Sequence, residues 1–171
     1  MKSCSLTMYH YSDTFVRRML PGATSCEVCT QHFGVVSELA KSELIVCGGS
    51  FFVILWGLAS NGRCQARNYY ESLEVADRAR ALALFKRMAD IGKIYDKTKF
   101  NKETEKLYVF KPQPHRFFCF FMKGRKIFIV SAYHKQGDKA PLQEIARAEN
   151  LRMECLKRLA RQEERHEKKQ R

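Results

Sequence analysis

The sequence predicts an α+β fold in which a small twisted antiparallel sheet is packed by an N-terminal helical hairpin and a C-terminal helix. Between residues 107 and 133, aromatic and β-branched runs of strand length are bounded by turn residues, which is typical of antiparallel strands. Between residues 65 and 92, apolar residues recur at helical spacing. After residue 141, a proline opens an amphipathic segment.

The first half of the domain reads as one strand followed by the hairpin. Phe51 to Trp56 is an uncharged run of strand length between Gly48-Gly49 and Gly57, and we take it as the first strand. Gln65 to Leu73 forms the first helix and brings two tyrosines to the interface, Tyr69 and Tyr70. The second helix ends at a glycine cap, and its apolar face consists of Ala81, Leu84, Phe85, Met88 and Ile91, followed by Gly92.

Three strands and a helix make up the second half. The strands are Leu107 to Lys111, Arg116 to Phe121 and Lys126 to Tyr133. Pro141 fits the first turn of the last helix, whose apolar stripe is available to pack on the sheet or to bind a partner protein. That stripe consists of Ile145, Ala148, Leu151, Cys155 and Leu159.

We therefore expect one domain over residues 51–159, an extension of unknown role over residues 1–50 and a charged tail over residues 160–171. The net charge of +13 falls entirely within residues 51–171. Such a charge favours a polyanionic partner, because each phosphate neutralised by Lys or Arg releases counterions. A solvated helix is the alternative for the tail, where eight basic residues face four acidic ones between Arg152 and Arg171.

The first fifty residues hold the one candidate metal motif. Cys26, Cys29 and His32 have spacing that suits zinc, but no second pair has matching spacing. A fourth ligand could come from Cys4, His10 or Cys47, and free thiols are the alternative. We expect no secretory signal in this segment, because polar residues interrupt its first apolar run, and the uncharged run Leu44 to Ala59 is too short to span a membrane. We expect a cytoplasmic chain without a membrane partner. A start codon placed too far upstream would also account for the extension.

Basic and aromatic residues gather at the ends of the predicted strands. Lys111 and Arg116 flank the Pro112-Gln113-Pro114 turn, and Tyr133, His134 and Lys135 lie where the last strand stops. Ends of neighbouring antiparallel strands converge, so the five side chains are expected to share one cleft.

The run from Ser131 to Pro141, followed by Glu144-Ile145, Ala148 and Arg152, resembles the C-terminal part of HigB/RelE-type toxins of bacterial type II toxin–antitoxin systems, in a phage-derived HigB-like branch. The similarity covers Phe51 to Leu156 and implies the RelE-like fold of the RelE/ParE superfamily. In that comparison Phe51 to Leu58 resembles the family's first strand, Asn61-Gly62 its turn and Gln65 to Gly92 its helical hairpin. It also implies a ribosome-dependent mRNA endonuclease that inhibits translation. Its partners would be mRNA on the ribosome, ribosomal RNA and a cognate antitoxin, often a helix-turn-helix DNA-binding protein.

The resemblance gives the strand-end residues their expected roles. Metal-free RNA cleavage requires deprotonation of the ribose 2′-hydroxyl, stabilisation of phosphate charge and protonation of the 5′-oxygen, so it needs no cofactor. We expect Arg116 to stabilise the transition state, His134 to act as general acid or base, Tyr133 to stack or donate a proton, and Lys111 to hold the RNA. His115 is a weaker acid–base candidate, and the expected outer RNA contacts are Lys135, Lys139, Lys99 and Lys102.

The sequence departs from many relatives at three of these positions. They carry a small residue or tyrosine where His115 stands, lysine where His134 stands and arginine where Lys111 stands. Two other readings therefore stay open. One is a RelE-fold protein that acts on gyrase like ParE, and the other is a phage-derived RNA-binding protein that cuts nothing.

Overall fold

The computed structural model describes residues 44–136 and 141–169. The elements are, in order, β1 Ile45–Gly48, β2 Val53–Trp56, α1 Gln65–Ser72, α2 Val75–Ile91, β3 Phe100–Lys102, β4 Tyr108–Phe110, β5 His115–Met122, β6 Lys126–His134 and α3 Leu142–Lys169. The strands form one six-stranded sheet in the order β1-β2-β6-β5-β4-β3. The α+β class, with a helical hairpin before the main strands and a helix after them, is confirmed.

One strand pair runs parallel. Strands β2 and β6 pair in parallel from Val53 opposite Lys126 to Trp56 opposite Ile129, whereas the other pairs are antiparallel. Parallel neighbours need a long connection. The hairpin and strands β3 to β5 lie between β2 and β6 in the chain and provide it.

The prediction that Phe51 to Trp56 is the first strand was wrong in its order and in its first residue, since the strand begins at Val53. Strand β1 precedes it and pairs with β2 at the sheet edge. Phe51 lies before the strand and is 48% exposed, although its amide donates to the carbonyl of Ala89 at 2.9 Å. Four residues of mixed exposure carry little periodic signal, so β1 was hidden. The domain start at residue 51 stays a prediction, although β1 lies before it.

The helical hairpin covers one face of the sheet. Helix α2 buries Ala81, Leu84, Phe85 and Met88 as predicted, and Phe85 meets Phe110 and Phe117 edge to face. Ile91 was expected in this face but is 55% exposed. The helix ends as predicted at Gly92, whose φ of 78° suits glycine and whose amide donates to Met88.

Helix α3 covers the opposite face. The predicted stripe packs on the sheet: Cys155 lies in a cluster with Phe120 and Val130, while Ala148 lies in a second cluster with Phe118. The helix continues to Lys169, so most of the predicted charged tail is helical. Within the described residues, no helix is both long enough and apolar enough to cross a bilayer.

Candidate functional site

The pairing of β5 with β6 determines which residues of the candidate site lie opposite each other. Arg116 lies opposite Tyr133, and His115 lies opposite His134. Because side chains alternate along a strand, consecutive residues point to opposite faces of the sheet. The predicted cluster is therefore divided: Arg116 and Tyr133 lie on the face covered by α3, and the two histidines lie on the face covered by the helical hairpin.

Basic side chains line up with Tyr133 on the α3 face. Strand β4 pairs Phe110 with Phe117, so Lys111 follows in register next to Arg116. Lys135 extends β6 on the same side as Tyr133, with its amide bonded to the carbonyl of Pro114 at 3.1 Å. We call Lys111, Arg116, Tyr133 and Lys135 the basic row.

Arg116 is the buried member of the row, since only 5% of it is exposed. Its Nη1 donates to its neighbour's carbonyl oxygen, that of His115, at 2.8 Å, and its Nη1 and Nη2 lie 3.4 and 3.3 Å from Oε1 of Gln113. No ion pair joins Arg116 to a carboxylate within the part of the chain that the structure describes. A buried guanidinium held by neutral acceptors keeps its charge available for an anionic ligand.

The charges of the row influence one another. Burial lowers the pKa of Lys111, and the positive charges of Arg116 and Lys135 lower it further. Burial raises the pKa of Tyr133 against the opposing charge of Arg116, so the phenol keeps its proton at neutral pH. The row therefore combines fixed positive charge with a proton donor and an amine of reduced basicity.

Tyr133 is held in place by packing. Its ring stacks on Phe118 with centroids 5.7 Å apart, and it packs against the cluster that contains Ala148 and Ile145. Tyr133 is only partly buried, so part of its side chain is accessible to a ligand.

Two carboxylates near the row were not predicted. The negative charge of Glu103 raises the pKa of Lys111, Arg116 and Tyr133. For Lys111 and Arg116 this opposes the lowering caused by burial. Glu144, in the first turn of α3, adds to the raised pKa of Tyr133. Its Oε2 atom is buried without a hydrogen-bond partner among the described residues. Glu103 belongs to no sequence motif that would have placed it there, whereas Glu144 belongs to the run that resembles the toxin family, although no role was predicted for it.

The histidines form a separate group on the hairpin face. The rings of His115 and His134 meet edge to face with centroids 5.5 Å apart. The Nδ1 atom of His115 lies 2.7 Å from the hydroxyl of Tyr69, and its Nε2 atom lies 3.3 Å from Oδ2 of Asp77. The structure therefore does not bring the exposed His134 ring to the face that carries Arg116.

The expected outer lysines are dispersed. The carbonyl of Lys99 accepts from the Lys111 amide at 2.8 Å, so Lys99 lies beside the basic row. Lys102 is opposite Tyr108 on edge strand β3, three positions further along, and is exposed. Lys139 lies outside the described residues, as do Cys26, Cys29 and His32. Within the described ranges, no group of three or more His, Cys, Asp and Glu residues is arranged to hold a metal.

Comparison with known families assigns the chain. A family model described as "Phage derived protein Gp49-like (DUF891)" matches residues 68–153. This is about half of the 171 residues and includes all four members of the basic row. No curated protein matches the chain. The chain therefore belongs to the Gp49-like family of phage-derived proteins, a family associated with the toxins of toxin–antitoxin systems.

Proposed function

We propose that the chain is the toxin of a type II toxin–antitoxin pair, a HigB/RelE-type endoribonuclease that cuts mRNA on the ribosome without a metal. The observation that carries the proposal is the basic row, in which a buried Arg116 without a carboxylate ion pair among the described residues is flanked by Lys111, Tyr133 and Lys135. Membership of a family associated with such toxins supports it.

The row provides the groups that internal RNA cleavage requires. The ribose 2′-oxygen attacks the adjacent phosphorus, the bond to the 5′-oxygen breaks, and a 2′,3′-cyclic phosphate remains. The planar guanidinium of Arg116 suits two phosphate oxygens, so it would stabilise the charge that develops there. Lys135 would hold the neighbouring phosphate.

Two proton transfers complete the reaction. Lys111 would accept the 2′-hydroxyl proton, since its lowered pKa increases the neutral fraction. Tyr133 would donate a proton to the leaving 5′-oxygen, and solvent would restore both groups. We assign the donor role to Tyr133 in place of His134, because Tyr133 lies opposite Arg116 on the same face and His134 lies on the other face.

The biological setting remains part of the proposal. The substrate would be the message in the decoding site, so the chain would act in the cytoplasm. Ribosomal RNA would contact the wider basic surface, including Lys99, Lys102 and Lys139. A cognate antitoxin, proposed to be a helix-turn-helix DNA-binding protein, would neutralise the chain.

Induction of the full chain in a bacterial host tests the proposal. We expect growth arrest and new mRNA 5′ ends inside translated codons, both lost in Arg116→Lys, because an ammonium cannot reproduce a two-pronged contact with phosphate. Arg87→Lys, on the exposed side of α2, is the matched control and should behave as the unaltered chain. Arrest with altered DNA topology and intact mRNA would instead support a gyrase-directed toxin. Arrest that Arg116→Lys leaves unchanged would support an electrostatic RNA binder.

A further inference from the structure

We propose that Tyr69, His115 and Asp77 form a positioning cluster that holds Arg116 in place through the backbone of strand β5. The proposal rests on the proposed function, since it explains how the guanidinium is kept ready for phosphate. The three residues lie on the hairpin face, and none of them touches the basic row through its side chain in the contacts described.

The imidazole of His115 lies between a tyrosine hydroxyl and a carboxylate. Tyr69 from α1 is hydrogen-bonded to Nδ1 at 2.7 Å, whereas Oδ2 of Asp77 from α2 lies 3.3 Å from Nε2, which is buried and makes no hydrogen bond among the described residues. The Asp77 carboxylate is in turn paired with Arg80, which lowers its pKa and keeps it ionised at neutral pH. A carboxylate opposite Nε2 favours the tautomer with the proton there, so Nδ1 accepts from the Tyr69 hydroxyl.

The backbone of His115 transmits this constraint across the sheet. Its amide donates to the carbonyl of Pro112 at 2.9 Å, and its carbonyl accepts from Nη1 of Arg116 at 2.8 Å. The ring on one face and the guanidinium on the other are thus joined by a single peptide unit. Displacement of a catalytic group by about 1 Å can cost roughly 100-fold in rate, so a small shift of this peptide is sufficient to matter.

The chain offers a matched pair of substitutions for a test. Tyr69→Phe removes the hydroxyl that holds His115 and leaves the ring packing intact. Tyr70→Phe, on the same helix, removes a hydroxyl that contacts the carbonyl of Arg78 at 3.4 Å and has no contact with His115 among those described. Both rings pack against Phe117, so a loss caused by general loosening of the core should be similar in the two variants.

Cleavage of ribosome-bound mRNA by purified full-length variants gives the first readout. We expect Tyr69→Phe to lower kcat about tenfold with little change in KM, and Tyr70→Phe to leave both near the unaltered values. The effects of Tyr69→Phe and Arg116→Lys should not multiply in the double variant, since a lost guanidinium has no position left to hold. Independent, multiplying losses would refute the positioning role while leaving the nuclease proposal intact.

An NMR readout does not depend on cleavage. The Arg116 Nε–Hε resonance should shift in Tyr69→Phe and stay in place in Tyr70→Phe, with the assignment checked in Arg116→Lys. An unchanged resonance in both variants would refute the positioning cluster even if the chain proves not to be a nuclease. Conversely, a shift in Tyr69→Phe alone, without any RNA cleavage by the unaltered chain, would uphold the cluster and overturn the proposed function.

Discussion

The side chain of Gln65 connects the start of helix α1 by hydrogen bonds to the end of strand β6 that carries Tyr133. Its Nε2 donates to the carbonyl of Ala132 at 2.8 Å, and its Oε1 accepts from the amide of Ala132 at 2.7 Å. Ala132 is 1% exposed and lies beyond the point where β2 stops pairing with β6. The side-chain amide therefore takes the place of a neighbouring strand, and Gln65→Met should leave both backbone groups without a partner.

The expected loss of stability follows from those two groups. An unsatisfied buried polar group costs about 1–3 kcal/mol. Gln65 is only partly buried, so we take about 1–2 kcal/mol for each group and about 2–4 kcal/mol in total. For a chain of this size, about 2–4 °C in Tm accompanies each kcal/mol, so Gln65→Met should lower Tm by about 4–16 °C.

Thermal unfolding followed by circular dichroism measures this loss, and Gln65→Glu sharpens the test. An ionised carboxylate accepts from the Ala132 amide but cannot donate to its carbonyl, whereas the protonated acid can do both. The neutral form is favoured in the folded state, so the introduced carboxyl has a raised folded pKa. The loss of unfolding free energy in Gln65→Glu, relative to the unaltered chain, should be small below about pH 4. It should grow as pH rises through the pKa of glutamate in the unfolded chain, about 4.3. A loss below about 1 kcal/mol in Gln65→Met, or a penalty in Gln65→Glu that does not depend on pH, would refute this reasoning.

Three further predictions follow from the same contacts. Gly92→Ala should lower the free energy of unfolding in denaturant by about 1–3 kcal/mol, because φ is +78° and the added Cβ would lie 2.7 Å from the Phe51 ring. Gly48→Ala should be close to neutral, because nothing lies within 4 Å of its added Cβ, and equal losses in the two variants would contradict this reason. Tyr133→Phe should lower kcat about 100-fold and leave Tm unchanged, because the ring still stacks on Phe118 and only the proton donor is lost. Full activity in this variant would show that another group donates the proton. Lys111 loses its proton below the usual lysine pKa of about 10.4. As pH rises, the affinity for an RNA oligonucleotide should therefore fall at a lower pH in the unaltered chain than in Lys111→Arg. Coincident curves of affinity against pH would contradict the lowered pKa.

Local patterns predicted much of the fold. The glycine cap at Gly92 and the apolar stripe of α3 could be read directly, because both depend on short-range spacing. Strand β1 and the parallel pairing of β2 with β6 could not, since they depend on contacts between segments distant in the chain. The predicted extension of unknown role, residues 1–50, lies mostly outside the described residues, which begin at residue 44.

The sequence predicted which residues lie at these strand ends, but it did not predict which of them share a face of the sheet. Arg116 and Tyr133 were identified and lie opposite each other, yet His134 was grouped with them although it is adjacent to Tyr133 on a strand and so points to the other face. The period of two along a strand contained that information. Tyr69 lies 46 residues from His115 in the chain, and no sequence pattern links the two. Their contact depends on how the hairpin packs against the sheet.

We propose that the basic row cuts mRNA held on the ribosome. The most direct measurement adds the purified chain to a reconstituted translation reaction with a defined message and maps the 5′ ends with and without ribosomes. We expect cuts within codons that require ribosomes and are reduced by at least about 100-fold in Arg116→Lys. An uncut message, or cutting that Arg116→Lys leaves unchanged, would contradict it.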